Sequence, residues 1–220
     1  MKIQFSKKEI APLFVIFLMA IAALSLFKAP CTPQQLPTHW NAGGVVDGYS
    51  SKNFALFFFP AITLALYLLM TFLPLIDPLR KNYKQFSIAY FLIRFALVLF
   101  FAFLYFYTLW AGIYGTPKIN YLIIPLISFL FIVLGLVMPK IKKNYFVGIR
   151  TPWTLQSEEV WQKTHKFAGK SFVAMGILTF LTIFLKEKMF SLFMAIVLVG
   201  AFAPMVYSYY IYRKLKLFNK

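Results

Sequence analysis

The chain has 220 residues, 61% of them hydrophobic and only 13% charged, with a mean hydropathy of +0.74. Soluble domains run nearer ~45–50% apolar and ~25% charged, so these proportions exclude an ordinary water-soluble globule and make lipid the main solvent. The 23 Lys and Arg against 6 Asp and Glu do not point to nucleic acid, because no basic patch is interleaved with aromatics outside the apolar blocks.

Lys7 and Lys8 precede the first apolar block, residues 10–27. No small-residue cleavage site follows it, since Lys28-Ala29-Pro30-Cys31 breaks that pattern, so the block is read as a retained span and not a signal peptide. Pro30 before Cys31 also speaks against a lipoprotein. As the single cysteine, Cys31 excludes an intrachain disulfide and a cysteine-only metal cage. Five more blocks follow, over 53–76, 86–112, 119–138, 168–185 and 189–212. Each approaches the ~20 helical residues that cross a hydrocarbon core, and each is continuously apolar, which predicts helices and not alternating barrel strands.

Orientation follows from the basic residues. Residues 1–9, 77–85, 139–170 and 213–220 hold 17 Lys and Arg, whereas the alternate side holds five, Lys28, Lys52, Lys118, Lys186 and Lys188. The positive-inside rule makes the richer side cytoplasmic. The expected fold is an all-α integral membrane protein: a bundle of six transmembrane helices with both termini cytoplasmic, a structured outer loop over 28–52 and a cytoplasmic interfacial helix within loop 139–167. The expected division is residues 1–85, carrying spans one and two, and residues 86–220, carrying the other four.

In the outer loop, Gly43-Gly44 and Asp47-Gly48 permit two turns within a few residues. A short extended segment over 38–41 folding back onto Val45 and Val46 would bring His39 near Asp47. The loop then serves either as a rigid cap, with Trp40 and Tyr49 in the aromatic belt, or as a binding surface for a peptide or small substrate. A metal site on His39 and Asp47 has too few ligands.

Arg94 is the one charge well inside a predicted span, roughly 12 Å from its start at 1.5 Å per residue. An intramembrane charge is costly and calls for a partner, and Asp77 at the inner end of span two is the expected one. No acid lies deep in any predicted span, which weakens a proton- or sodium-coupled carrier. A channel or lipid-handling protein stays open as the alternative function.

The longest polar stretch is Asn144 to Gly169. Gly148 is a turn point, Pro152 holds Thr151 extended, and Ser157 with Glu158 and Glu159 starts a helix that places Trp161, Thr164, His165 and Ala168 on one face. It reads either as an interfacial anchor for lipid headgroups or as a docking surface or small polar pocket using Arg150, Thr151, Thr154 and His165. Nothing in it matches a nucleophile elbow, a zincin helix or a phosphate loop, so no enzyme, cofactor or metal is expected. The two histidines, His39 and His165, are expected on opposite membrane faces.

Two stretches carry a family resemblance. Gly148-Ile149-Arg150-Thr151-Pro152-Trp153-Thr154-Leu155, followed by Trp161, Thr164-His165 and Gly169, resembles the hallmark of the SdpI family of bacterial membrane immunity proteins. Pro37, His39, Asn41, Gly44 and Asp47, ending at Lys52, resemble the domain of unknown function usually joined to that family's amino-terminal side. Trp40 stands where phenylalanine is common, and Ala168 where glycine often precedes Gly169. The resemblance implies a multi-pass protein of the bacterial cytoplasmic membrane that protects its host from a secreted, membrane-active toxin peptide. It further implies inward signalling, by holding an ArsR-type repressor at the membrane, without direct contact to nucleic acid.

Overall fold

A computed structural model of the chain describes residues 7–115 and 118–218. Lys2 and Lys220 of the charge count lie outside the described residues. Helix α1 spans Ile10–Lys28 and is entered through a 3-10 turn, Lys7–Glu9. Strands β1 (Gln35–Trp40) and β2 (Val46–Ser51) precede α2 (Lys52–Ile76), α3 (Ser87–Tyr114) and α4 (Asn120–Val137). A short α5 (Pro152–Gln156) is followed by α6 (Glu158–Leu181) and α7 (Met189–Phe218).

Among the described residues, six helical segments are long and apolar enough to cross a membrane: Lys7–Lys28, Lys52–Ile76, Arg80–Tyr114, Asn120–Lys140, Glu158–Leu185 and Met189–Leu215. All meet the ~20 residues a bilayer requires. Their apolar side chains point outward as well as inward, with Phe17, Leu69, Val199 and Phe202 all more than half exposed. Such surfaces are stable against lipid and not against water.

The expected fold-back of the outer loop takes the form of a hairpin, which adds a small sheet to the helical chain: β1 and β2 pair antiparallel, with Trp40 opposite Val46 and His39 opposite Gly48. Asn41 supplies the reason, since its backbone pairs with Val45 and its side chain accepts from Val45 N, closing the turn. The helix capped by Ser157 runs unbroken to Leu181, because Gly169 lets Pro139 and the Gly135 carbonyl approach α6 closely without ending it.

The chain divides into two compact units. The first comprises Lys2–Thr71 and Arg94–Leu126. Its core joins Met19 and Ala23 of α1, Leu36 of β1, Ala55 and Leu56 of α2, and Ala102, Tyr105 and Leu109 of α3. Gly112 of α3 has no room for a Cβ because Leu36 lies against it, so the hairpin is seated directly on the helices. The turn is held too: Ile119 N donates to the Gly44 carbonyl and Asn120 Nδ2 to the Ala42 carbonyl.

This unit also overturns the expected partner of Arg94. Arg94 Nη2 lies 2.6 Å from Glu9 Oε1, with side chains only 8% and 14% exposed. Arg94 Nη1 donates to Thr71 Oγ1 at 2.7 Å, Tyr67 Oη donates to Glu9 Oε2 at 2.5 Å, and the guanidinium sits 5.5 Å from the centre of the Tyr67 ring. Glu9 escapes a reading that starts the first span at residue 10; the 3-10 turn before α1 draws it inward. The cavity beside Arg94 measures about 10 Å³, room for a single water.

The second unit comprises Phe72–Ile93 and Ile127–Lys220. Here α6 packs along α7, and α5 is wedged against both. Asp77 belongs to this unit and is buried, but its partners are Leu79 N at 2.7 Å, Tyr83 Oη at 3.0 Å and Tyr145 N at 3.0 Å. Its carboxylate ties the inner loop down, a task the sequence does not advertise.

Candidate functional site

The hairpin separates its residues into those that build it and those it displays. Asn41 closes the turn, and Gly44 adopts φ +79° with the Asn120 side chain where a Cβ would stand. Trp40 is half-buried with its ring 5.8 Å from that of Tyr107. Lys52 is anchored at the hairpin's base, its N–H donating to Gln34 O and its Nζ to Ala29 O. These four hold the shape. Thr38 and Ser50 join the strands through their hydroxyls at 2.8 Å.

His39 and Asp47 are displayed. Their side chains are 72% and 41% exposed, and His39 Nδ1 lies 2.6 Å from Asp47 Oδ1. Gly48 faces His39 across the ladder and leaves the room its imidazole occupies, since a Cβ there would meet His39 Cβ at 2.9 Å. With Nδ1 engaged by the carboxylate, Nε2 points away and is available to a partner. Val45 and Tyr49, 53% and 59% exposed, add apolar surface beside this pair. Val45, Asp47 and Tyr49 alternate on the exposed side of this segment. Among the described residues no cluster of three or more His, Cys, Asp or Glu could hold a metal.

The inner loop is built differently. Asn144 is fully buried and works as its internal template: Nδ2 donates to Lys142 O and Val147 O, while Oδ1 accepts from Phe146 N and Val147 N. Gly148 follows with φ +108°, and a side chain there would run into His165 Nε2. Thr151 and Thr154 form a capping box around α5, each hydroxyl accepting from the other's backbone N–H, with Pro152 at the first helical position. The Thr-Pro-Trp-Thr run is thus a helix start. Its signal was the hydroxyl pair three residues apart, with threonine replacing the usual Glu or Gln.

His165 is buried against Trp161, their rings stacked 4.1 Å apart. Ile149 N donates to Nε2 at 3.2 Å, so Nε2 is the acceptor, and Nδ1, 2.8 Å from Trp161 O, carries the proton. That pair of contacts requires the neutral imidazole. A proton on Nε2 would face the Ile149 N–H. Trp161 Nε1 donates in turn to Ile141 O at 2.8 Å. Gly169 allows close packing on Pro139, and Trp153 packs its ring 5.0 Å from Tyr209. Thr164 is buried, and its hydroxyl has no hydrogen-bond partner among the described residues.

Thr151, Thr154 and His165 are therefore buried, the two threonines bonded to each other and His165 to Ile149 N and Trp161 O, with Thr151 Oγ1 also 3.0 Å from Ser208 Oγ. They do not open into a polar pocket with Arg150. Arg150 stands exposed on the loop surface, where its Nη1 donates to Tyr145 O at 2.7 Å. Chemically the inner loop is a rigid, internally satisfied knot that presents Tyr145 and Arg150 outward.

Comparison with known proteins agrees with this division. Residues 140–208 match the SdpI/YfhL protein family, and residues 14–64 match Domain of unknown function DUF1648. The chain is 26% identical to the Immunity protein SdpI of Bacillus subtilis (strain 168) over 210 residues, 95% of this chain and 98% of that protein. No solved structure matches the chain. The first matched region takes in nearly all of the inner loop with α5, α6 and most of α7, and the second takes in most of α1, the hairpin and half of α2. The chain thus carries a region that matches DUF1648 and another that matches the SdpI/YfhL protein family, with six long apolar helices among the described residues.

Proposed function

We propose that this chain is a membrane immunity protein that protects the cell making it from a secreted, membrane-active peptide. The observation that carries the reading is the identity with an immunity protein running over nearly the full length of both chains, hairpin and inner loop included. In this reading both termini are cytoplasmic, residues 1–85 carry spans one and two with the outer loop, and residues 86–220 carry spans three to six with the cytoplasmic loop. His39 and Asp47, with Val45 and Tyr49 beside them, meet the peptide. An exposed histidine–carboxylate pair flanked by apolar side chains suits a peptide that is both polar and membrane-seeking. The inner loop, displaying Arg150 and Tyr145, holds an ArsR-type repressor at the membrane. The protein acts by binding and not by catalysis.

Expression in a toxin-sensitive host tests the immunity role. Resistance should appear with the parent chain and fall with His39→Ala or Asp47→Ala at equal protein level. Undiminished killing of cells that hold the parent chain in their membrane refutes it. Orientation has its own reporter in Cys31, a free and exposed thiol next to the hairpin. A membrane-impermeant maleimide should label it in intact cells; labelling only after lysis reverses the orientation.

A further inference from the structure

Among the described residues, α4 and α6 meet through glycines. Gly135 faces Val173 N and Gly169 O, and Gly176 faces Ser128 O and Ile132, with no space for a Cβ at either position. Helices packed this closely by small residues hold their backbones together by dispersion and weak polar contacts. Larger side chains on either side of the seam then wall an open groove of about 610 Å³. Its walls are apolar, formed by Leu136 and Pro139 on one side and Val173, Ala174 and Ile177 on the other. One end differs. There Lys166 and Lys170, one turn apart on α6 and both exposed, stand over the groove.

Neither lysine has an acidic partner among the described residues, unlike Lys163, which pairs with Glu159 on the same helix. Two cations at one end of an apolar trough are complementary to an anion carrying a hydrocarbon tail. The dimensions agree. Lys170 and Ile177 are seven residues apart, roughly 10 Å along the helix at 1.5 Å per residue. One leaflet of hydrocarbon is roughly 15 Å deep, half of a ~30 Å core. A phosphate held at the lysine end therefore leaves an acyl chain lying along Val173, Ala174 and Ile177, within its own leaflet. A zwitterionic lipid fits the same trough but brings its own cation to the lysines.

The geometry points to this groove as a binding site for a single anionic phospholipid, its phosphate bridged by Lys166 and Lys170 and one acyl chain seated between α4 and α6. This site is independent of the immunity reading. Bound there, the lipid fastens the carboxyl-terminal helices to the leaflet that meets the inner loop.

Native mass spectrometry of the purified full chain, titrated with phosphatidylglycerol or phosphatidylcholine, tests the site. The first phosphatidylglycerol should bind in preference to phosphatidylcholine. Lys166→Gln with Lys170→Gln should weaken it about 25-fold, at about five-fold for each lysine near a lipid phosphate. Ala174→Phe, which fills the trough without touching the charges, should weaken it as well. Lys81→Gln with Lys84→Gln removes the same charge elsewhere and should leave the first binding step unchanged. The proposal is overturned by an equal loss in that control pair, by equal binding of the two lipids, or by a dimer that covers the groove and excludes lipid.

Discussion

Replacing Glu9 by leucine removes the carboxylate 2.6 Å from Arg94 Nη2 and leaves the charge of a side chain that is only 8% exposed without that counter-ion. Breaking a buried ion pair from one side costs about 3–5 kcal/mol, and the cost of an isolated charge beside hydrocarbon works in the same direction. Tyr67 Oη loses its acceptor as well, whereas Arg94 keeps its bond to Thr71. At ~2–4 °C per kcal/mol for a chain of this size, the apparent melting temperature should fall by roughly 6–20 °C. Arg94→Leu leaves Glu9 stranded and should fall by a similar amount. Glu9→Leu with Arg94→Leu removes both charges and should recover most of the loss, since an apolar pair of similar volume is close to neutral. Tryptophan fluorescence during heating in one detergent, at one scan rate because such unfolding is commonly irreversible, reads all four proteins. A double variant no more stable than the worse single one refutes the pairing, as does a Glu9→Leu protein that melts with the parent.

Gly148→Ala should destabilise the protein by about 1–3 kcal/mol, because it combines positive φ with a collision against the His165 ring. His165→Ala in the same background should relieve part of that loss, and a purely additive pair would refute the contact. Asp77→Ala should cost about 2 kcal/mol or more by stranding the Leu79 and Tyr145 N–H groups, read as faster proteolysis within the inner loop. By contrast, His39→Ala and Asp47→Ala should leave the melting temperature within about 1 °C, an effect of under ~0.5 kcal/mol, as expected of exposed residues that build nothing. A large drop there would make the pair structural.

The helical frame was readable because lipid imposes it: continuous apolar blocks of sufficient length have few other fates, and α1, α2 and α4 end within a few residues of their expected limits. The fold-back that joins His39 to Asp47 was readable from two glycine pairs at turn spacing. What escaped was the partnering of polar groups distant in sequence. Arg94 reaches across 85 positions to Glu9, and Asp77 across 68 to Tyr145 N. Neither separation has a local signature, and nearness in sequence favoured the wrong acid for Arg94. The inner loop misled for another reason. Threonines, a histidine and an asparagine resemble a ligand pocket in a list of residues, but here Asn144, Thr151, Thr154 and His165 satisfy backbone groups that would otherwise be buried without partners.

That internal satisfaction constrains how the inner loop can transmit anything. Opening it gives up the four Asn144 contacts to loop backbone, both His165 bonds and the Thr151–Thr154 box. At a net ~0.5–1.5 kcal/mol for each bond, the closed form leads by roughly 5 kcal/mol or more. Reversing a closed population of 99:1 already demands a ligand that prefers the open form by about 5.5 kcal/mol, and a larger gap demands more. A signal that melts the loop is therefore expensive, whereas one that uses the loop as a fixed platform is not. Under the proposed function, the repressor is then held by side chains already displayed, and Arg150 with Tyr145 is where that contact should be lost. Arg150→Ala should abolish recruitment of the repressor while leaving melting and resistance unchanged, because its bond to Tyr145 O lies at the exposed loop surface. Recruitment that survives Arg150→Ala but fails in Asn144→Ala would show the opposite: the loop rearranges, and its internal bonds are the switch.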